Sequence, residues 1–411
     1  MVVNSSSINN LVAHPPISPL VNSIEALEAL MVRVKAAQEA YAKFPQTKVD
    51  HIFKQAAIAA NNARIPLAKQ AVTETGMGVI EDKVIKNHFA SEYIYNKYKH
   101  EKTCDVIFSD PHYGIQKVAE PIGVIAGIVP TTNPTSTTIF KALLCLKPRN
   151  AIVFSAHPRA KACSIEAAKI VRDAAIKAGA PADLIGWIDV PTLPLSQALM
   201  QHPEVKLILA TGGPGMVKAA YSSGHPSLGV GAGNTPAVID ETADIQMAVS
   251  SILLSKTFDN GMICASEQAT VVLDSVYDEV KQEFIKRGTY FMDAQERDRM
   301  AQAILKDGRL NPAIVGQSIE RLAELADLSV PEGTKLLIAE VDDIGLEEPF
   351  SYEKLSPILA LYRASDFPNA VEQAKQLVNF AGRGHTSVLY TNPDNSDRIT
   401  QFESEAATSR V

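Results

Sequence analysis

After Asp110 the sequence alternates short runs of apolar, β-branched residues with segments of helical periodicity. The first run covers 123–129, and comparable runs follow at 151–154, 184–190 and 205–210. Runs this apolar are typical of strands buried on both faces, and helices between them are typical of parallel crossovers. The pattern predicts an open α/β domain, in which ligands bind beyond the carboxyl ends of the strands.

A second α/β lobe is predicted by renewed alternation after the glycine-rich stretch 229–234. We place the domain boundary near Asp240. The predicted divisions are a flexible tail at 1–21, a first lobe at 22–107 and 121–240, a bridging segment at 108–120, and a second lobe at 241–411.

The first hundred residues read as helical. Asn22, with Glu25 three residues on, is the predicted cap of a first helix. A second helix is predicted from Pro45 to the stop at Gly76. A third is predicted to run through Ile85, Phe89 and Tyr93.

Composition excludes several classes of function. The 39 Lys+Arg against 46 Asp+Glu give a net charge of −7, which predicts no nucleic-acid partner. The longest apolar stretch, 121–129, is far shorter than the ~20 residues of a membrane helix. The N-terminus lacks the pattern of a signal peptide, so we expect a cytoplasmic protein.

The four cysteines form no C-x-x-C pair, so we expect reduced thiols and no metal site. Cys264 follows an Asn-Gly turn, where a thiol can be exposed; to act as a nucleophile it needs nearby N–H groups or a cation to lower its pKa. The alternative is an inert small hydrophobe, which is the reading we keep for Cys104, Cys145 and Cys163.

Other candidates for chemistry each have an alternative structural explanation. Asn133, between a strand and a helix, suits an oxyanion donor or a simple Asn-Pro turn. Residues 211–215 suit a phosphate at a helix N-terminus, although they lack the G-x-G-x-x-G spacing. His385 is flanked by glycines that permit close ligand approach, or it is structural. Glu348 suits a sugar diol or a turn cap.

Several motifs occur together in one order. They are Glu120–Ile125 with Pro130–Pro134, Thr211-Gly212-Gly213, Asp259–Gln268, Glu348-Pro349-Phe350 and Gly382–Ser387. Over about 22–411 the chain resembles the aldehyde dehydrogenase superfamily, most closely its CoA-acylating branch and the N-terminal half of bifunctional aldehyde-alcohol dehydrogenases. The resemblance implies an α/β fold of two lobes, a variant Rossmann NAD-binding domain and a catalytic domain.

The resemblance also implies roles for matching residues. Cys264 matches the nucleophile, and Asn133 matches the amide that forms the oxyanion hole with the Cys264 backbone N–H. His385 resembles the histidine that positions or activates the CoA thiol. The residues implied to contact NAD are Thr131, Thr211, Gly212, Gly213, Gly233, Glu348, which would hold the nicotinamide ribose, and Phe350.

Three departures from the family pattern carry information. Val230 stands where hydrolytic members have a Glu that activates water. Ser155-Ala156-His157 replaces a Lys that contacts the adenosine ribose, so these contacts differ here. Family members continue past Val411 with a strand and a tail used in subunit contacts, so a homo-oligomer is expected if the chain end permits it.

The sequence thus predicts an NAD-dependent, CoA-acylating aldehyde dehydrogenase that interconverts a short-chain aldehyde, such as acetaldehyde in ethanol metabolism, and acyl-CoA through a cysteine thioester. One alternative is a hydrolytic aldehyde dehydrogenase. Another is a catalytically silent assembly or thiol-sensing subunit.

Overall fold

A computed structural model describes residues 20–411, so residues 1–19 of the predicted tail lie outside the described residues. The helices, numbered in chain order, are α1 (Ile24–Tyr41), α2 (Gln46–Asn62), α3 (Arg64–Thr75), α4 (Ile80–His88), α5 (Ile94–Tyr98), α6 (Pro134–Leu146), α7 (Lys161–Lys177), α8 (Leu193–Gln201), α9 (Pro214–Tyr221), α10 (Ile245–Thr257), α11 (Asp274–Lys286), α12 (Ala294–Ile304), α13 (Ile319–Leu325), α14 (Phe367–Ala381) and α15 (Ser396–Glu405).

The strands are likewise numbered along the chain. They are β1 (Asp105–Asp110), β2 (Ile115–Ala119), β3 (Val124–Val129), β4 (Ala151–Ala156), β5 (Ile185–Trp187), β6 (Val205–Thr211), β7 (Ser227–Val230), β8 (Thr235–Ile239), β9 (Glu267–Leu273), β10 (Thr289–Phe291), β11 (Leu305–Lys306), β12 (Arg309–Leu310), β13 (Leu336–Glu340), β14 (Ile358–Ala364) and β15 (Val388–Tyr390).

The first large sheet is parallel, with the order β5-β4-β3-β6-β7. All residues of β3 and β4 are buried, because helices cover both faces. Its core contains Phe53 of α2, Leu143 of α6 and Val171 of α7. Each such side chain contributes roughly 1.5–3 kcal/mol by leaving water. The predicted parallel α/β architecture is confirmed.

The second large sheet is also parallel, with the order β10-β13-β14-β9-β8-β15. Alternate residues of its central strands face opposite sides, as strand geometry requires. Val271 therefore packs in one core with Leu377 of α14, and Val272 packs in another with Phe284 of α11. Two cores around one sheet confirm the second predicted α/β lobe.

The chain changes from the first sheet to the second between β7 and β8. Because β8 already pairs with β9 and β15, the chain has crossed to the second sheet before Thr235. The sequence analysis placed the boundary slightly later, near Asp240, just after the end of β8. The predicted bridging segment falls in the antiparallel hairpin of β1 and β2. The division into domains stays a prediction.

The N-terminal helices differ from the sequence prediction in three ways. Ser23, not Asn22, caps α1, because its hydroxyl accepts the N–H of Ala26. The predicted second helix is two helices, α2 and α3, joined at Ala63. The predicted third helix is interrupted by a π-helical turn, and its apolar stripe of Ile85, Phe89 and Tyr93 is more than half exposed.

The exposed stripe has a physical explanation. A π-helical turn over Phe89–Tyr93 joins α4 to α5 and changes the helical register. The face of α4 that is buried carries Lys83 and Asn87, because both side chains have polar partners inside the protein. Within residues 20–411, the helices lack a segment both long and apolar enough to cross a bilayer.

Candidate active site

Cys264 lies on a turn between the two elements that the sequence placed around it. Helix α10 ends at Thr257, a 3-10 turn covers Phe258–Gly261, and β9 begins shortly after the cysteine. Asp259 and Asn260 both have φ of 51°. Asp and Asn tolerate this left-handed region better than most residues, which explains why the predicted Asn-Gly turn forms here.

The thiol opens onto a cavity of about 490 Å³. Its wall is built largely from loops that follow the parallel strands β3, β4, β6 and β7, as expected at the carboxyl edge of such a sheet. The predicted site residues that line it are Cys264, Asn133, Thr131, Thr211, Gly212 and Gly213. The structure therefore brings the nucleophile and the oxyanion amide to one cavity, and their catalytic roles stay predictions.

The first turn of α9 fits the phosphates of a dinucleotide. Gly213 is the N-cap and supplies no side chain, and Pro214 has no N–H. Met216 and Val217 donate to the carbonyl of Gly213, which leaves the N–H of Gly215 in the first turn of α9 for a ligand. A Cβ atom built on Gly213 would meet no atom within 4 Å, which leaves room beside this donor. Uncapped N–H groups and the positive end of a helix dipole bind anions. Ser155, Ala156 and His157 line the same cavity.

The pKa of Cys264 is raised above its ordinary value, so the expected lowering is not found. Burial is the largest cause, and the negative charge of Glu353 acts in the same direction. Arg410, the backbone N–H of Cys264 and Lys86 favour the thiolate as the sequence analysis expected, but they are outweighed. In this state of the protein the sulfur is mainly a thiol at neutral pH.

Glu353 is a site residue that the sequence analysis missed. It lines the cavity, and its Oε1 accepts the N–H of Gly233 at 2.9 Å. Burial raises its pKa to about 7, against the opposing charges of Lys256 and Lys354. A carboxyl with this pKa exchanges protons near neutrality. The available signal was an acidic residue two positions before the largely apolar segment 355–362.

Asn133 is held by a residue outside every predicted motif. Its Oδ1 accepts from Nζ of Lys86 at 2.7 Å, and its Nδ2 donates weakly to the hydroxyl of Thr132 at 3.3 Å. Lys86 also donates to Asp259, which in turn accepts from Lys83 at 3.0 Å. We call Lys83, Lys86 and Asp259 the Lys-Asp cluster.

The Lys-Asp cluster is almost fully enclosed. The side chains of Lys83 and Lys86 are 3% and 12% exposed, and that of Asp259 is 0% exposed. Burial lowers the pKa of Lys86 to about 8, although Asp259 favours the charged form. Enclosed charges of this kind are tolerated when they are paired and hydrogen-bonded.

Gly233 directly contacts the loop 258–266, which we call the nucleophile loop after the predicted role of Cys264. A Cβ atom there would lie 1.9 Å from the carbonyl oxygen of Cys264. His385 lies next to Gly233 and lines an adjoining groove with Arg383 and Arg410, rather than the cavity of Cys264. The pKa of His385 is lowered, first by burial and then by Arg410, so the ring is neutral at pH 7.

Glu348 and Phe350 do not lie on the cavity wall. Oε1 of Glu348 accepts the N–H of Phe350 at 2.9 Å and caps a 3-10 turn, which is the structural alternative given for this residue. Phe350 is 1% exposed and belongs to the core. Their contact with a nicotinamide ribose stays a prediction.

Val230 ends β7 and lines both the cavity and the adjoining groove. An apolar side chain thus occupies the position matched to the water-activating Glu. In the part of the chain that is described, no three His, Cys, Asp or Glu side chains converge as metal ligands.

The model of the aldehyde dehydrogenase family matches residues 22–354. The bifunctional aldehyde-alcohol dehydrogenase AdhE of Escherichia coli K12 is 62% identical over 392 residues, which cover 95% of this chain and 44% of that protein. The chain thus spans less than half the length of this curated relative.

Two solved structures extend the comparison. The acetylating aldehyde dehydrogenase of Geobacillus thermoglucosidasius is 45% identical, with a TM-score of 0.92 over 94% of this chain and 85% of that one. The propionaldehyde dehydrogenase of Rhodopseudomonas palustris, with bound CoA and an acylated cysteine, is 28% identical, with a TM-score of 0.83 over 95% of this chain and 88% of that one.

Proposed function

The chain belongs to the aldehyde dehydrogenase family, and on that premise we propose that it is an NAD-dependent, CoA-acylating aldehyde dehydrogenase acting on a short-chain substrate such as acetaldehyde. The observation that carries the proposal is the cavity that is lined by Cys264, by Asn133 and by the start of α9. A relative of known structure with bound CoA and an acylated cysteine supports the same chemistry.

The reaction begins at Cys264. After losing its proton, the sulfur attacks the aldehyde carbon and forms a thiohemiacetal whose oxygen carries the negative charge. Nδ2 of Asn133 and the backbone N–H of Cys264 are the donors for this oxyanion. NAD⁺, when bound, would supply the hydride acceptor, and a thiohemiacetal that has given up hydride is a thioester on Cys264.

The second half-reaction releases the acyl group. The CoA thiolate attacks the thioester carbon, the bond to Cys264 breaks, and the sulfur of Cys264 leaves as thiolate. His385, with a lowered pKa, is a candidate proton acceptor for the CoA thiol from the adjoining groove. Glu353 is a second candidate acceptor, and its position on the cavity wall suits the proton of Cys264.

In the hydrolytic alternative, the carboxyl group of Glu353 would activate water. Val230 cannot activate water, whereas Glu353 has a pKa of about 7 and faces the cavity. Product analysis separates the two functions. The CoA-acylating function requires acetyl-CoA as product and an absolute dependence on CoA, and accumulation of acetate without CoA would establish hydrolysis instead.

NADH oxidation with acetyl-CoA tests the proposal most directly. Wild-type chain should oxidise NADH and release CoA thiol in equal amounts, and Cys264→Ser should not. Equal rates for the two proteins would remove the assignment. A wild-type chain without activity whose Cys264 reacts as an ordinary thiol, indifferent to NAD, would favour the silent assembly subunit.

Two further expectations concern the setting of the protein. All four cysteines are free, which supports a reducing, cytoplasmic location: Cys104, Cys145, Cys163 and Cys264.

The hairpin of β1 and β2 exposes Phe108, Ile115 and Val118, among others, which supports self-association into a homo-oligomer. Light scattering coupled to gel filtration measures the oligomeric state, and a monomer at micromolar concentration would contradict it.

A further inference from the structure

Lys86 lies on α4, about 47 residues before the loop that carries Asn133, and no sequence motif marks it. Its ammonium group reaches two acceptors, Oδ1 of Asn133 at 2.7 Å and a carboxylate oxygen of Asp259. The first residue is the candidate oxyanion donor, and the second stands five residues before Cys264. One buried side chain therefore contacts both halves of the candidate site.

The contact fixes which way the Asn133 amide points. An ammonium group can only donate, so the atom that faces Lys86 must be the carbonyl oxygen and the NH₂ group must face away. One N–H of that group donates a weak hydrogen bond to the hydroxyl of Thr132. The other remains for a ligand in the cavity that Asn133 and Cys264 share.

Asp259 anchors the same ammonium group to the nucleophile loop. Its Oδ1 accepts the N–H of Val79 at 2.8 Å, and its own N–H donates to Asp82 at 2.7 Å. Its backbone is left-handed, and the side chain is fully buried. The loop is therefore fixed to the start of α4, the helix from which Lys86 reaches Asn133.

We propose that Lys86 is a positioning residue for the reaction: it orients the Asn133 amide toward the oxyanion and, through Asp259, fixes this amide relative to Cys264. The inference rests on the proposed function, because it assigns a role within that reaction. Lys86 touches neither substrate nor thiol in this account, and it acts through Asn133.

Lys83 offers a matched control. It is even more buried than Lys86, lies one turn earlier on α4 and donates to the same Asp259, but its second acceptor is the backbone carbonyl of Thr132. Lys83→Met removes a cation from the Lys-Asp cluster without removing the donor to Asn133. A general loss of packing or charge balance should therefore affect both variants, whereas loss of amide orientation should affect Lys86→Met alone.

The experiment is a double-mutant cycle on the full chain with Lys86→Met, Asn133→Ala and the double variant. The readouts are kcat and KM for NADH oxidation with acetyl-CoA. Because a lost oxyanion donor costs ~10²- to 10³-fold, we expect Lys86→Met to lower kcat by about 10- to 100-fold with KM for NADH within about twofold. We expect the double variant to match Asn133→Ala, since Lys86 has nothing left to orient.

Several results would overturn the proposal. Multiplicative effects in the cycle would show that Lys86 does not act through Asn133, and so would an equal loss in Lys83→Met. If Lys86→Met does not fold, Lys86→Gln replaces it in the same cycle, with the same expected non-additivity. Absence of turnover in the wild-type chain would overturn the proposed function and this inference together. Turnover in the wild-type chain combined with multiplicative effects of the two substitutions on kcat would overturn the positioning role alone.

Discussion

Gly233 and Cys264 are in direct backbone contact, so that a Cβ atom on Gly233 would stand 1.9 Å from the carbonyl oxygen of Cys264. Gly233 belongs to the segment by which the chain leaves the first sheet and enters β8. Its N–H also donates to Glu353. The segment that crosses between the two sheets therefore packs directly against the nucleophile loop. Position 233 requires glycine, because a Cβ atom there would collide with the carbonyl oxygen of Cys264.

Gly233→Ala should displace the nucleophile loop. A shift of about 1 Å in a reacting group costs up to ~10²-fold in rate, so we expect kcat for NADH oxidation with acetyl-CoA to fall by that order. Gly114→Ala, in the turn between β1 and β2, is the control, because a Cβ atom there meets nothing within 4 Å and Gly114 does not line the cavity. Activity of Gly233→Ala within twofold of Gly114→Ala would show that the loop does not depend on this contact.

Asn133→Ala should reduce turnover while leaving the binding of NAD nearly unchanged. Removal of one oxyanion donor lowers kcat by ~10²- to 10³-fold, and the phosphates are expected at the start of α9 rather than at Asn133. Stopped-flow kinetics and a fluorescence titration with NADH measure the two quantities. Unchanged turnover would remove Asn133 from the mechanism.

Cys264 should be the cysteine that alkylating agents reach in the native protein. Cys104, Cys145 and Cys163 are at most 4% exposed, whereas Cys264 faces the cavity. Because the pKa of Cys264 is raised above its ordinary value of 9.0, the rate with iodoacetamide should keep rising through pH 9. Mass spectrometry locates the label. A plateau below pH 8, or labelling that persists in Cys264→Ser, would contradict this prediction.

The strands and the loops that follow them could be predicted because each strand is determined by a continuous run of apolar residues in the sequence. A run such as β3, in which all six residues are buried, has one stable environment, the interior of a covered parallel sheet. Loops that hold Thr131, Asn133 and Thr211 then fall at one edge by topology alone. That much of the candidate site follows from periodicity.

The Lys-Asp cluster was not predictable, because Asp259 stands 176 residues after Lys83 and 173 residues after Lys86 in the sequence. The same contacts explain which face of α4 is buried. Periodicity favours burial of Ile85 and Phe89, whereas the folded chain buries Lys83, since Asp259 and the carbonyl of Thr132 compensate its charge. Such compensation exists only once the tertiary structure has formed.

Glu353 should make stability depend on pH in a way that Glu353→Gln does not. Its folded-state pKa of about 7 lies above the ordinary value of 4.5, so between these values the folded protein binds more protons than the unfolded chain. The free energy of unfolding contributed by this group therefore falls as pH rises from about 4.5 to about 7 and is constant above that. Gln keeps an oxygen that accepts the N–H of Gly233 and carries no charge.

The measurement is the difference in thermal midpoint between Glu353→Gln and wild type at several pH values, which cancels every group common to both proteins. Lys256 and Lys354, which lower the pKa of Glu353, are present in both proteins. We expect the thermal midpoint of the variant to rise steadily relative to that of wild type from pH 4.5 to pH 7, with no further relative rise at pH 8. A difference that does not vary with pH would show that the Glu353 carboxyl titrates near its ordinary value, and would remove it as a proton acceptor for Cys264.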